Sequence, residues 1–176
     1  MTYFPRVEKW FIPQQAIALS FEEMARDGSR GNEGIALWLG GRDRGQATVS
    51  HVVALRGSGI VRHPDFLSIS PDVMNEVTDL AIRLQVVLVG QIHSHGPSYG
   101  IDLSPTDRLY GVAIPYFLSV VAPDYGLRPT EGVAECGVHV YEPKRGYRRL
   151  GIREVTRRII AVSNPQISTL LVGRSR

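Results

Sequence analysis

The stretch from Val86 to Asp107 constrains this chain more than any other. A continuous aliphatic run, Val86-Val87-Leu88-Val89, leads almost directly into His93-Ser94-His95. Such a run reads as a strand buried on both faces. Side chains at i and i+2 of an extended chain share a face, so His93 and His95 present their imidazoles together while Ser94 faces away. A turn-rich loop, Gly96-Pro97-Ser98-Tyr99-Gly100, then leaves the sheet. Ser104-Pro105-Thr106-Asp107 opens a helix, with Ser at the N-cap, Pro at the first helical position and the acid at the third. That geometry returns Asp107 over the strand end. A histidine pair and a Ser-Pro-x-Asp cap are each common structural features. Together, two imidazoles and one carboxylate leave a zinc ion one open coordination position, which separates a hydrolytic site from a structural one.

Hydrolysis at such a site needs a base to take a proton from the attacking water and pass it to the leaving amine. Glu33 lies where a polar loop becomes an apolar strand, in Gly31-Asn32-Glu33-Gly34-Ile35-Ala36-Leu37-Trp38-Leu39-Gly40, so its carboxylate belongs to a sheet end rather than the core. A glutamate, then His-x-His, then Ser-x-x-Asp resembles the JAMM metallopeptidases, also called MPN-plus domains. The family's first strand commonly runs Glu, six residues, Gly, and Glu33 to Gly40 has that spacing. The resemblance implies an α/β fold, a central mixed sheet flanked by helices with cytidine-deaminase-like layering. It implies one zinc ion per chain held by His93, His95 and Asp107, with Glu33 as general base and acid and Ser104 supporting the oxyanion. It covers about Gln14 to Arg149.

The chain departs from the family in its loop. Eight residues, Gly96 to Leu103, separate His95 from Ser104 where the family usually has about seven, and Gly96 displaces the Pro that often follows the second His. The extra residue is placed in the loop, because Ser104 and Asp107 keep their mutual spacing and loops tolerate insertion. Asp102 competes for the ligand role in a shifted reading, although it lacks the paired upstream serine. Ala36 replaces a glycine often found in the first strand.

Elsewhere the pattern predicts a helix over Gln14 to Arg26 with Ile17, Phe21 and Met24 inward, and adjacent strands at Gly34 to Gly40 and Gln46 to Leu55. A second helix opens at Ser70-Pro71 with Val73, Val77, Leu80, Ala81 and Leu84 on one stripe. Further strands are expected at Tyr116 to Ala122, Gly132 to Tyr141 and Tyr147 to Ile152. Helices followed by runs of strands give an α/β or α+β layering. The 176 residues, 43% hydrophobic and 21% charged, suit one domain spanning 1–176. Arg153 to Arg176 reads as a possible C-terminal extension, either a helix or a strand pair ending in a tail. Arg56 to Ser70 reads as a substrate-facing loop. His51 reads as a sheet histidine and His63 as a loop residue, neither with a second ligand at metal spacing. The single cysteine, Cys136, excludes an internal disulfide and reads as a small buried apolar group. Three residues along a strand would put it and His139 on opposite faces.

A net charge of +3 is not a nucleic-acid footprint, yet the basic residues are 18 Arg with only Lys9 and Lys144. Arg148-Arg149, Arg153 and Arg157-Arg158 cluster, and few aromatics interleave them, which argues against stacking on single strands. The plain reading is a solvated face shaped by a GC-rich genome; the sharper one is that an enzyme cutting lysine-linked conjugates gains by presenting few lysines. No apolar run is long enough to cross a bilayer, so no membrane partner is expected. Met1 to Pro5 lacks a signal-peptide pattern, and the cytoplasm is the default location. The resemblance implies cleavage after the C-terminal glycine of a ubiquitin-like protein. His-Ser-His-Gly in a compact, basic domain resembles bacterial members encoded beside ubiquitin-like proteins and their activating and conjugating enzymes, some in phage defence. Sulfur-carrier or small-peptide processing, and a scaffold without metal, are the alternatives.

Overall fold

The computed structural model describes residues 5–163 and 166–173. In chain order the elements are β1 (Lys9–Pro13), α1 (Gln14–Gly28), β2 (Ile35–Asp43), β3 (Gln46–Leu55), β4 (Ile60–Arg62), β5 (Leu67–Ile69), α2 (Pro71–Arg83) and β6 (Val87–Ser94). Then follow α3 (Pro105–Tyr110), β7 (Leu118–Ala122), β8 (Gly137–Glu142), β9 (Gly146–Arg149), α4 (Ile152–Arg158), β10 (Ile159–Val162) and β11 (Ser168–Val172).

Period-2 alternation in β2 determines the layers. Ala36 and Trp38 pack with Ile17, Phe21 and Met24 of α1, while Ile35, Leu37 and Leu39 pack with Val73, Val77 and Ala81 of α2. Trp38 is fully buried, and its indole N–H donates to Ser20 Oγ at 2.9 Å while the Ser20 hydroxyl donates to the Ala16 carbonyl at 2.6 Å. Both polar groups of that contact are therefore satisfied. The sheet runs β10-β1-β3-β2-β6-β7-β8-β9 and mixes parallel with antiparallel pairs. One edge of β3 is shared between β1, along Gln46 to Thr48, and β11, along His51 to Leu55. This is an α/β fold with a mixed sheet between helices.

Several expectations are corrected. Arg153 to Arg176, expected as a helix or a strand pair, holds both among its described residues: α4 packs its Val155 on the α1 cluster, β10 pairs with β1, and β11 brings buried Val172 into the α2 cluster. The C-terminal tail beyond 173 and the Met1 to Phe4 segment lie outside the described residues. Val86 to Val89 is not buried on both faces throughout, since Val87 is 46% exposed. β7 pairs with β6 only from Gly90 onward, so the strand's first residues have a neighbour on one side alone. The Arg56 to Ser70 segment is not structureless; β4 and β5 form a hairpin within it. Among the described residues, no helix is long and apolar enough to cross a membrane.

Val172 reports on whether the C-terminal strand folds with the sheet. Val172→Ala should lower the unfolding free energy by about 1–3 kcal/mol in urea denaturation. An unchanged midpoint and slope would mean that β11 contributes nothing to the cooperative unit.

Candidate metal centre

The β2–β6 register builds the site. Ile35 stands opposite His93, and one step further Gly34 and Ser94 bond reciprocally, with Ser94 N–H donating to Gly34 O at 3.0 Å and Gly34 N–H to Ser94 Oγ at 2.9 Å. Ser94 thus faces away from the imidazoles, and the register continued one residue sets Glu33 opposite His95. A Cβ on Gly34 would lie 2.7 Å from the Met24 Cα, so only glycine lets α1 approach this strand start. Glu33 is pinned by its own N–H, which donates to the His63 carbonyl at 2.9 Å in the connection between β4 and β5.

The third group arrives on α3. Ser104 caps the helix: its Oγ accepts the Asp107 N–H at 3.1 Å, and its N–H donates to Asp107 Oδ2 at 2.8 Å, a reciprocal capping box. The same Oδ2 lies 3.2 Å from His95 Nε2 and 3.6 Å from His93 Nε2, and the two Nε2 atoms are 3.3 Å apart. Both histidines are buried, at 3% and 5% exposure. His95 Nδ1 donates to the Gly100 carbonyl at 2.7 Å, so in the neutral ring Nε2 is the unprotonated nitrogen, and protonating the ring would place an N–H there toward Asp107. Among the described residues, His93 Nδ1 has no hydrogen-bond partner.

Electrostatics follow from this crowding. Burial opposes a charged His95, but hydrogen bonding to Asp107 and Gly100 outweighs it and raises the pKa. Burial would raise Asp107, yet the adjacent His93 and His95 hold it far below the usual carboxylate range. Glu33, 5% exposed, is pushed up to about 7 by burial, against the attraction of His95. A cleft of about 600 Å³ opens beside these groups, lined by His93, Asp107, Gln91, Ile35 and Tyr110 and walled on one side by β5. Glu33, His95 and Ser104 lie outside that lining.

Of the sequence candidates, His93, His95 and Asp107 offer ligand atoms all within 4.8 Å of one another. Asp102 turns away: its Oδ1 accepts His139 Nε2–H at 2.6 Å and Arg108 at 2.9 Å. His51 bonds Ser50 Oγ on β3, and His63 contributes a carbonyl rather than a ring. Cys136 precedes β8 rather than sharing a strand with His139; its thiol contacts Thr130 at 3.8 Å, and burial pushes it up to about 11. The arginine cluster divides. Arg148 is held by Glu142 and Glu154, and Arg158 donates to the Val7 and Glu8 carbonyls with its guanidinium over the Trp10 ring, whereas Arg149, Arg153 and Arg157 are exposed. Sequence reasoning missed Tyr125, whose N–H donates to the His95 carbonyl at 2.7 Å and whose hydroxyl donates to the Pro64 carbonyl at 3.1 Å. Nothing local in the sequence signals that link.

No family model and no curated protein matches this chain. Among solved structures it is similar to the solution structure of protein DSY2949 from Desulfitobacterium hafniense, at 17% identity over 88% of this chain and 94% of that one, with a TM-score of 0.64. At that identity the likeness is one of fold.

Glu33 yields a signed pH prediction for the metal-free protein. A carboxyl raised from 4.5 to about 7 binds its proton more tightly folded than unfolded. Its ionisation therefore costs stability that is intact below about pH 4.5 and lost as pH rises through about 7. Glu33→Gln should be more stable than wild type by about 1–3 kcal/mol at pH values above about 7.5, with the difference vanishing near pH 4. A difference that stays flat over that range in denaturant titrations would show that burial does not tune this acid.

Proposed function

We propose that the protein is a zinc-dependent isopeptidase or peptidase of the JAMM type, which deconjugates or matures a ubiquitin-like protein by cutting after its C-terminal glycine. The observation that carries this reading is the donor triangle. Its sides are 3.2, 3.3 and 3.6 Å. Ligands around a tetrahedral zinc ion with N/O bonds of about 2.0–2.1 Å lie about 3.3–3.4 Å apart. The residues fit the metal in kind and in spacing.

A bound zinc ion supplies Lewis acidity, making water more acidic and polarising a carbonyl. Glu33 would take the proton of the attacking water and return it to the leaving amine. The Ser104 oxygen is occupied by the Asp107 N–H, which leaves its hydroxyl proton to donate to a carbonyl oxygen as charge develops there. Asp107 serves as ligand and helix cap with one oxygen. Leu67, Ser68 and Ile69 of β5 line the cleft, and among the described residues β5 pairs only with β4, so its second edge suits an added strand. A narrow glycine-ending tail fits such an edge beside the histidines where bulkier chains do not. The setting that accompanies this reading is bacterial ubiquitin-like conjugation, including antiphage defence, with the activating and conjugating enzymes as further partners. Sulfur-carrier or small-peptide processing would use the same chemistry, and a scaffold role would leave the buried Glu33 without purpose.

Initial rates on an intact ubiquitin-like fusion and on its isolated tail peptide test the substrate. Contacts to the folded body align the scissile bond, so the fusion should be cut at least about tenfold more efficiently. Glu33→Gln should reduce turnover by roughly two to four orders of magnitude with zinc retained. Equal efficiency on both substrates would favour the small-peptide alternative, and no hydrolysis of either by zinc-loaded protein would favour the scaffold.

A further inference from the structure

We propose that Asp102, paired with buried His139, is a positioning residue for the metal centre, fixing the Gly100 carbonyl that sets the tautomer of His95. The inference rests on the metal reading above. His95 can offer Nε2 to a metal only while Nδ1 carries the proton, and the acceptor that holds that proton is the Gly100 carbonyl at 2.7 Å. Gly100 lies in an exposed segment without regular structure, the loop between β6 and α3. A carbonyl there needs an anchor.

The anchor is two residues away. Asp102 Oδ1 accepts the His139 Nε2–H at 2.6 Å, the Arg108 guanidinium at 2.9 Å and its own loop's Leu103 N–H at 2.9 Å. His139 comes from β8 and is fully buried, so the aspartate reaches from the surface into the sheet. The intervening Ile101 carbonyl presses on Gly137, where a Cβ would come within 1.6 Å of it; only glycine permits that seating. Arg108 also donates to the Tyr147 carbonyl at 3.0 Å and belongs to α3, the helix that carries Asp107. Asp102 therefore ties the acceptor for His95 to the element that presents the third ligand.

The imidazole itself argues for a role beyond packing. His139 is fully buried yet polar, and an aliphatic side chain would fill the position without any polar atom to satisfy, so packing alone does not call for an imidazole here. What His139 provides is one N–H aimed at Asp102. His93, in contrast, has no acceptor at its Nδ1 among the described residues, which concentrates the orientation of the histidine pair on His95.

The test measures zinc affinity by chelator competition and, in the zinc-free protein, the His95 tautomer from its ring ¹⁵N shifts. Asp102→Ala should raise the zinc dissociation constant about 10–100-fold and convert His95 from the Nδ1–H form to a mixture. Asp102→Asn, whose carbonyl oxygen accepts the same N–H groups, should stay within about threefold of wild type and keep the tautomer. His139→Ala is the second variant, should Asp102→Ala fail to fold, and should show the same losses. Wild-type affinity and an unchanged tautomer in either alanine variant would overturn the proposal. A wild-type protein that binds no zinc would overturn the metal reading instead, with the tautomer populations still deciding the role of Asp102.

Discussion

Lone pairs aimed at one point repel unless a cation lies between them. His93 Nε2, His95 Nε2 and Asp107 Oδ2 converge within 3.6 Å in a largely buried corner, with the His95 proton committed to its other nitrogen. In a low-dielectric setting, a proton or a metal ion must resolve that arrangement. Much of the surrounding structure serves to impose it. The β2–β6 register, held by apolar packing on both faces, aligns Glu33 with His95, and the capping box of α3 aims Asp107 back at the strand end.

The same packing that fixes the three donor groups sets the acid. Glu33 is shielded by the close approach of α1 to Gly34 and tethered to His63, so its carboxylate loses water without gaining a full ion pair. A free carboxylate on the surface would be a weaker base. Natural sites accept such local costs where chemistry needs them, and the rest of the fold offsets the loss through its two apolar layers.

Local patterns were legible in the sequence because their physics is local. Strand parity separated His93 and His95 from Ser94, the Ser-Pro-x-Asp start gave a capping box, and the α2 stripe placed Val73, Val77 and Ala81 inward. Pairing between distant segments was not legible. β1 is five residues long and is defined by parallel partners in β3 and β10, so no periodicity within it announces a strand. The three-residue strands β4 and β5 are too short for alternation to register. The choice between Asp102 and Asp107 turned on a one-residue loop difference, and it is the contact with His139, 37 positions away, that shows where Asp102 points. His139 itself was weighed only against Cys136, its neighbour in sequence rather than in space.

X-ray absorption at the zinc edge, on protein expressed with ample metal, tests the central claim most directly. The account predicts about one zinc ion per chain in a shell of about four nitrogen and oxygen ligands at about 2.0–2.1 Å, with imidazole scattering that weakens when His95 is replaced. Protein without zinc, a shell containing sulfur, or a spectrum unchanged by replacing His95 would contradict it.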